Sequence, residues 1–126
     1  MTVHGQDGLD EITISGPTYV AELKHDFITE YSIEPKQFGL DVAPIESIQV
    51  KDAADSRARL ESVLANEAGP SRDVVILNSA AALYVSGVAG SLWDGVALAR
   101  DAIESGRARA KLDQLVAFTR GLAKAG

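Results

Sequence analysis

The sequence predicts an α/β fold, and more narrowly part of a larger α/β domain: short strands over residues 1–50, then about four helices over residues 51–126. Three observations carry this expectation. Apolar and polar residues alternate through Phe27–Ile33, the period-2 signature of a strand. Beyond Lys51 the apolar spacing turns helical, at three and four residues. Glycine, proline, serine and aspartate then cut that helical stretch into four pieces.

The elements follow in order. The chain opens on His4-Gly5-Gln6-Asp7-Gly8-Leu9-Asp10-Glu11, which reads as a flexible loop tipped by two carboxylates. Glu11–Ser15 is short and β-branched and reads as the first strand, with Gly16-Pro17 as the turn after it. Tyr19–Lys24 and Phe27–Ile33 read as the next two strands, joined by a hairpin at Lys24-His25-Asp26. The segment from Glu34 to Val50 holds Pro35, Gly39 and Pro44 and reads as a connection with at most one helical turn.

Asp52 or Asp55 is expected to cap a first helix running to about Glu67, with Ala58, Leu60, Val63 and Leu64 as its apolar side and Gly69-Pro70 as its stop. Ser71 is expected to cap a second helix that reaches Val85 and ends at Gly87. It is apolar nearly all round, which predicts burial on most sides. Ser91 caps a third, closed by Gly106. The fourth spans about Ala108 to Ala123 with Leu112, Leu115, Val116 and Leu122 on one side. Three short strands offer little surface to bury the second helix, so the sequence predicts further strands upstream of Met1.

Composition narrows the function classes. The 126 residues suffice for one domain, with 46% hydrophobic and 24% charged residues. A net charge of -6 argues against a nucleic-acid partner. The lack of cysteine removes disulfides, thiolate zinc sites and cysteine nucleophiles, and fits a cytoplasmic protein. The polar and acidic groups of residues 1–10 argue against a signal peptide in this stretch. The longest apolar stretch, Val74 to Val88, is broken by Asn78, Ser79, Ser86 and Gly87, which argues against a membrane span.

Asp10 and Glu11 are the candidate metal ligands. Adjacent carboxylates offer hard oxygens to magnesium, which takes one or two carboxylates together with phosphates and water. Their residue types alone are better explained by a turn cap and a solvated strand end, since Asp-Glu pairs are common on surfaces. His4 reads as a loop hydrogen-bonder and His25 as an exposed hairpin residue. Ser15-Gly16-Pro17-Thr18 could face a phosphate, although a turn between strands explains the same residues. Asn78 reads as a buried, hydrogen-bonded structural residue, and Trp93 as packing on a helix face. Walker, dinucleotide, zinc and nucleophile-elbow patterns are missing, so no catalytic residue is assigned.

The succession HGQDGLDE, SGPT-x-VAELK, FGL, RDVVILNSAAALYVSG and AIESGRARAKLDQL goes further: it resembles the C-terminal half of anthranilate phosphoribosyltransferase, in order and over essentially the whole chain. The resemblance implies phosphoribosyl transfer from phosphoribosyl diphosphate to anthranilate, in tryptophan biosynthesis. It also implies the α/β domain shared by phosphoribosyltransferases and nucleoside phosphorylases, with Mg2+ held by Asp10 and Glu11. The family's G-T-G-G-D diphosphate loop, its Lys-His-Gly-Asn-Arg segment and its N-terminal helical domain do not occur here. The expectation is a segment inactive alone, completed by an N-terminal chain or forming a homo-oligomer. The alternatives are a non-catalytic self-associating α/β module and a fragment of a pyrimidine nucleoside phosphorylase-like enzyme.

Overall fold

The computed structural model describes the backbone of residues 1–125 and the side chains of residues 1–123. Three strands, β1 (Thr2–Gly5), β2 (Thr18–Lys24) and β3 (Phe27–Ile33), form one antiparallel sheet in the order β1-β2-β3. The register runs from Thr2 opposite Ala21 to Gly5 opposite Thr18, and from Thr18 opposite Ile33 to Lys24 opposite Phe27. Two 3-10 turns follow, Pro35–Phe38 and Ile45–Ile48. Helices α1 (Ala53–Leu64), α2 (Pro70–Val85), α3 (Leu92–Glu104) and α4 (Arg107–Ala125) complete the chain. The core joins one sheet face to α2 and α3 through Ile12, Ile14, Val20, Ile33, Phe38, Leu40, Ile76, Leu77, Ala80, Val96 and Ile103.

Several expectations need correction. Glu11–Ser15 is not a strand, although Ile12, Thr13 and Ile14 are buried. β-branched residues suit any buried extended segment, and this one satisfies its backbone with side chains and a loop instead of a ladder. The edge strand is Thr2–Gly5, which places His4 and Gly5 in the sheet and starts the loop at Gln6. The connection from Glu34 to Val50 carries two helical turns, not one.

The hairpin turn sits at His25-Asp26, with φ of 52° and 66°. Both values are positive, as the turn that matches strand twist requires, and Asp and His tolerate them better than β-branched residues do. The alternation in β3 does not bury one whole face: Phe27 and Thr29 are exposed, Tyr31 is half-buried and only Ile33 is buried. The hairpin runs off the body of the protein, so burial rises with distance from its tip.

Asp52 caps α1, accepting from the Asp55 backbone N–H. The helix stops at Leu64, before Glu67, because Asn66 adopts the left-handed conformation at φ 60°. Val63 is buried while Ala58 and Leu60 face solvent. Gly69 precedes α2 and Pro70 is its first residue, so Pro70 starts a helix where a stop was expected. Ser71 is not its cap; its hydroxyl accepts from Arg59 Nη1 at 3.1 Å. One side of α2 is buried, through Ile76, Leu77, Ala80 and Ala81, whereas Val75 and Val85 are exposed. Ser91 caps α3 through the Asp94 N–H, and Gly106 closes it at φ 75°. On α4, Leu112 and Val116 are half-buried but Leu115 and Leu122 are exposed.

Candidate functional site

The loop between β1 and β2 is built by its own short side chains. Gly5 and Gly8 close a tight turn, with the Gly8 N–H donating to the Gly5 carbonyl at 2.9 Å. The Gly5 N–H reaches ahead to the Leu9 carbonyl at 2.8 Å, and the Gln6 N–H to Pro17 at 2.9 Å. Gly8 has φ 91°, open to glycine and strained for any side chain. Gly5 is needed for another reason: a Cβ there would lie 2.6 Å from Asp7 Oδ1 and 3.1 Å from Thr13 Cβ.

Asp7 closes this loop. Its Oδ1 accepts from the Leu9 N–H at 3.1 Å. Its Oδ2 accepts from Thr13 Oγ1 at 2.6 Å and Ser15 Oγ at 2.5 Å. Desolvation pushes the carboxyl pKa up, but the donors from Ser15, Thr13 and Leu9 together outweigh it and hold the group below the ordinary aspartate value. Sequence reasoning missed Asp7 as the residue that closes the loop. The one available signal was an aspartate two residues before Leu9, the spacing at which such side chains cap their own backbone.

On the far side the loop is held from α2. Asn78 Oδ1 accepts from the Ile12 N–H and its Nδ2 donates to the Ile12 carbonyl, both at 2.9 Å. The Thr13 N–H donates to Thr18 Oγ1 at 3.0 Å, and the Ala43 N–H to the Ile14 carbonyl at 3.1 Å. Asn78 is thus hydrogen-bonded and structural as expected, but half-buried instead of buried. Ser15 and Thr18 hydroxyls are engaged inside the loop.

Asp10 and Glu11 occupy the span between these anchors. Leu9 is tied on one side and Ile12 on the other, so the two carboxylates ride on an arch of two residues. Both are exposed, and among the described residues neither takes part in an ion pair. No third His, Asp or Glu joins them as a metal-ligating group among those residues. An exposed oxygen pair on a fixed arch fits a hard cation whose remaining ligands are phosphate oxygens and water. The structure brings His4 and His25 to separate exposed places on the sheet and hairpin. A concavity of about 510 Å³ lies on the sheet along Thr2–His4, Tyr19–Ala21 and Glu30–Ser32, and includes neither carboxylate.

A second polar group joins the sheet to the end of α2. Lys24 Nζ donates to Tyr84 Oη at 2.8 Å, and that hydroxyl donates to Glu22 Oε1 at 2.5 Å. Tyr31 Oη donates to Glu22 Oε2 at 2.8 Å. The Tyr84 and Tyr31 hydroxyls hold the Glu22 carboxyl below its usual range. Desolvation and then the bond to Glu22 raise the Tyr31 phenol. This is an internal tie, with every member already paired.

Three strands, an anchored acidic loop and four helices make up a small α/β unit. The chain belongs to the glycosyl transferase family, a/b domain, whose family model matches residues 1–109. Over nearly its whole length it is similar to anthranilate phosphoribosyltransferases. Those of Nitrosomonas eutropha and Chromobacterium violaceum are 53% and 51% identical over 122 residues, which are 97% of this chain and 36% of each relative. The chain therefore spans about a third of the length of the relatives it matches. Among solved structures, anthranilate phosphoribosyltransferase from Thermus thermophilus matches with a TM-score of 0.85 and 36% identity, over 94% of this chain and 35% of that one. The Saccharomyces cerevisiae enzyme in complex with PRPP and Mg matches with a TM-score of 0.74 and 26% identity, over 88% of this chain and 32% of that one. No helix among the described residues is long and apolar enough to cross a membrane.

Proposed function

We propose that this chain is the C-terminal segment of a cytoplasmic anthranilate phosphoribosyltransferase and that Asp10 and Glu11 are its magnesium loop. The observation that carries the reading is the placement of that pair, exposed and adjacent on a span anchored at Leu9 and Ile12. The relatives support it: the yeast enzyme has been captured with PRPP and Mg and with 4-fluoroanthranilate. Phosphoribosyl diphosphate and anthranilate are accordingly the proposed substrates. Magnesium, when bound, would neutralise the diphosphate as it leaves an anomeric carbon gaining positive charge. The part played by this chain is to hold two carboxylate oxygens ready and in register. Substrate positioning supplies much of the rate enhancement and draws on groups elsewhere in the complete enzyme, so the chain alone should show no turnover.

The test is a chimera in which this chain replaces the matching segment of the Nitrosomonas eutropha relative. Phosphoribosyl transfer should persist, and Asp10→Asn with Glu11→Gln should lower it by about 100-fold or more, on the scale of losing an electrostatic group at the reacting centre. Tm should change little, because two neighbouring like charges contribute no net folding stability. A well-folded double variant with parental turnover would overturn the magnesium role.

A further inference from the structure

We propose that Asp7 is the positioning residue for the Asp10–Glu11 pair, acting as a tie across the base of the arch that carries it. The proposal rests on the magnesium reading above. Asp7 binds on both sides of the arch: before it, at the Leu9 N–H, and after it, at the Thr13 and Ser15 hydroxyls. One carboxylate thus sets the separation between the ends of a two-residue span. Thr13 is fully buried and receives the Ser15 N–H on the same hydroxyl, so the far attachment is rigid.

Gly5 keeps the seat of Asp7 open, since a side chain at that position would run into Oδ1. Without Asp7 the far end of the arch stays docked on Asn78, while the near end keeps only the Gly5–Leu9 backbone bond. The two carboxylates then lose their fixed register. Magnesium demands near-ideal geometry and dehydrates reluctantly, so loose ligands cost affinity before they cost chemistry.

The experiment has two arms. In the chimera, magnesium is titrated at saturating substrates for Asp7→Ala, Asp7→Asn and the Asp10→Asn/Glu11→Gln pair. Half-saturating magnesium should rise about 10- to 100-fold in Asp7→Ala, the range known for groups that orient metal ligands, with kcat at saturating magnesium nearly unchanged. Asp7→Asn keeps an acceptor for Leu9 and should fall between. In the 126-residue chain, Asp7→Ala should speed amide hydrogen exchange at Leu9 and Thr13 and leave Val20 and Ala21 in β2 unaffected.

A folded Asp7→Ala chimera with parental magnesium dependence overturns the positioning role. If the Asp10→Asn/Glu11→Gln pair also leaves that dependence unchanged, the magnesium reading has failed and the role of Asp7 falls with it. Should Asp7→Ala not fold, Ser15→Ala removes one donor and keeps the carboxylate. It should still shift half-saturation by roughly threefold, about one modest hydrogen bond, and no shift overturns the role.

Discussion

Asn78 shows how much one polar side chain can decide. Its amide satisfies both backbone groups of Ile12 and also reaches the Val74 carbonyl one helical turn back, at 3.0 Å. Ile12 lies 2% exposed, so water cannot take over these bonds. Asn78→Ala should therefore cost about 2–4 kcal/mol in denaturant unfolding, since each orphaned backbone group costs roughly 1–3 kcal/mol. The amide-exchange rate of Ile12 should rise with it. A cost below about 0.5 kcal/mol would mean that the loop finds other partners, at the level expected of an ordinary surface substitution. Asp7 is the opposite case: short, polar and near the surface, its importance lies in joining two ends of one loop.

Between elements, α2 and α3 pack closely at Gly95. At Gly95 a Cβ would lie 2.5 Å from the Ala80 carbonyl oxygen and 2.9 Å from Ala80 Cα. Backbone cannot yield there as a flexible side chain could. Small residues on both helices, Ala80, Ala81, Gly95 and Ala99, keep the pair this close and bury all four. Gly95→Ala should destabilise by about 1–3 kcal/mol or more, the usual cost of overpacking a tight core. Gly121→Ala is the control: nothing lies within 4 Å, the position is exposed and helical, and alanine should stabilise by up to about 1 kcal/mol. Thermal unfolding of the two variants should move in opposite directions, and a stabilised Gly95→Ala would refute the close-contact account.

At the scale of the molecule, the hairpin tip and one side of α4 are two of the places where apolar surface is exposed. The hairpin tip exposes Leu23, Phe27 and Ile28, with Phe27 76% exposed. The outer end of α4 exposes Leu115, Phe118 and Leu122 on one stripe. Such patches mark surfaces that cover one another or a partner. The chain is expected to self-associate, with a mass by sedimentation that rises with concentration. Phe27→Ser with Ile28→Thr should shift that dependence toward monomer. A monomer at all concentrations would reject the expectation.

The α/β class, two of the three strands, the hairpin at His25-Asp26, the Ser91 cap and the stop at Gly106 were all legible in the residues, and the first helix cap was narrowed to Asp52 or Asp55. Each of these depends on interactions within a few positions, which is the range that spacing and turn chemistry describe. The acidic pair was legible as a chemical type, and the resemblance pointed to its family. Tertiary structure decided the rest. The identity of the edge strand depended on pairing between Thr2–Gly5 and Thr18–Ala21, while Glu11–Ser15, equally β-branched, found its partners on α2 and in the loop. Whether Asp10 and Glu11 are held or floppy depended on a contact between residues 12 and 78, which no local pattern encodes. Local preference sets which shapes a segment can take; the backbone groups left unpaired determine which one it keeps, and their partners lie wherever the fold brings them.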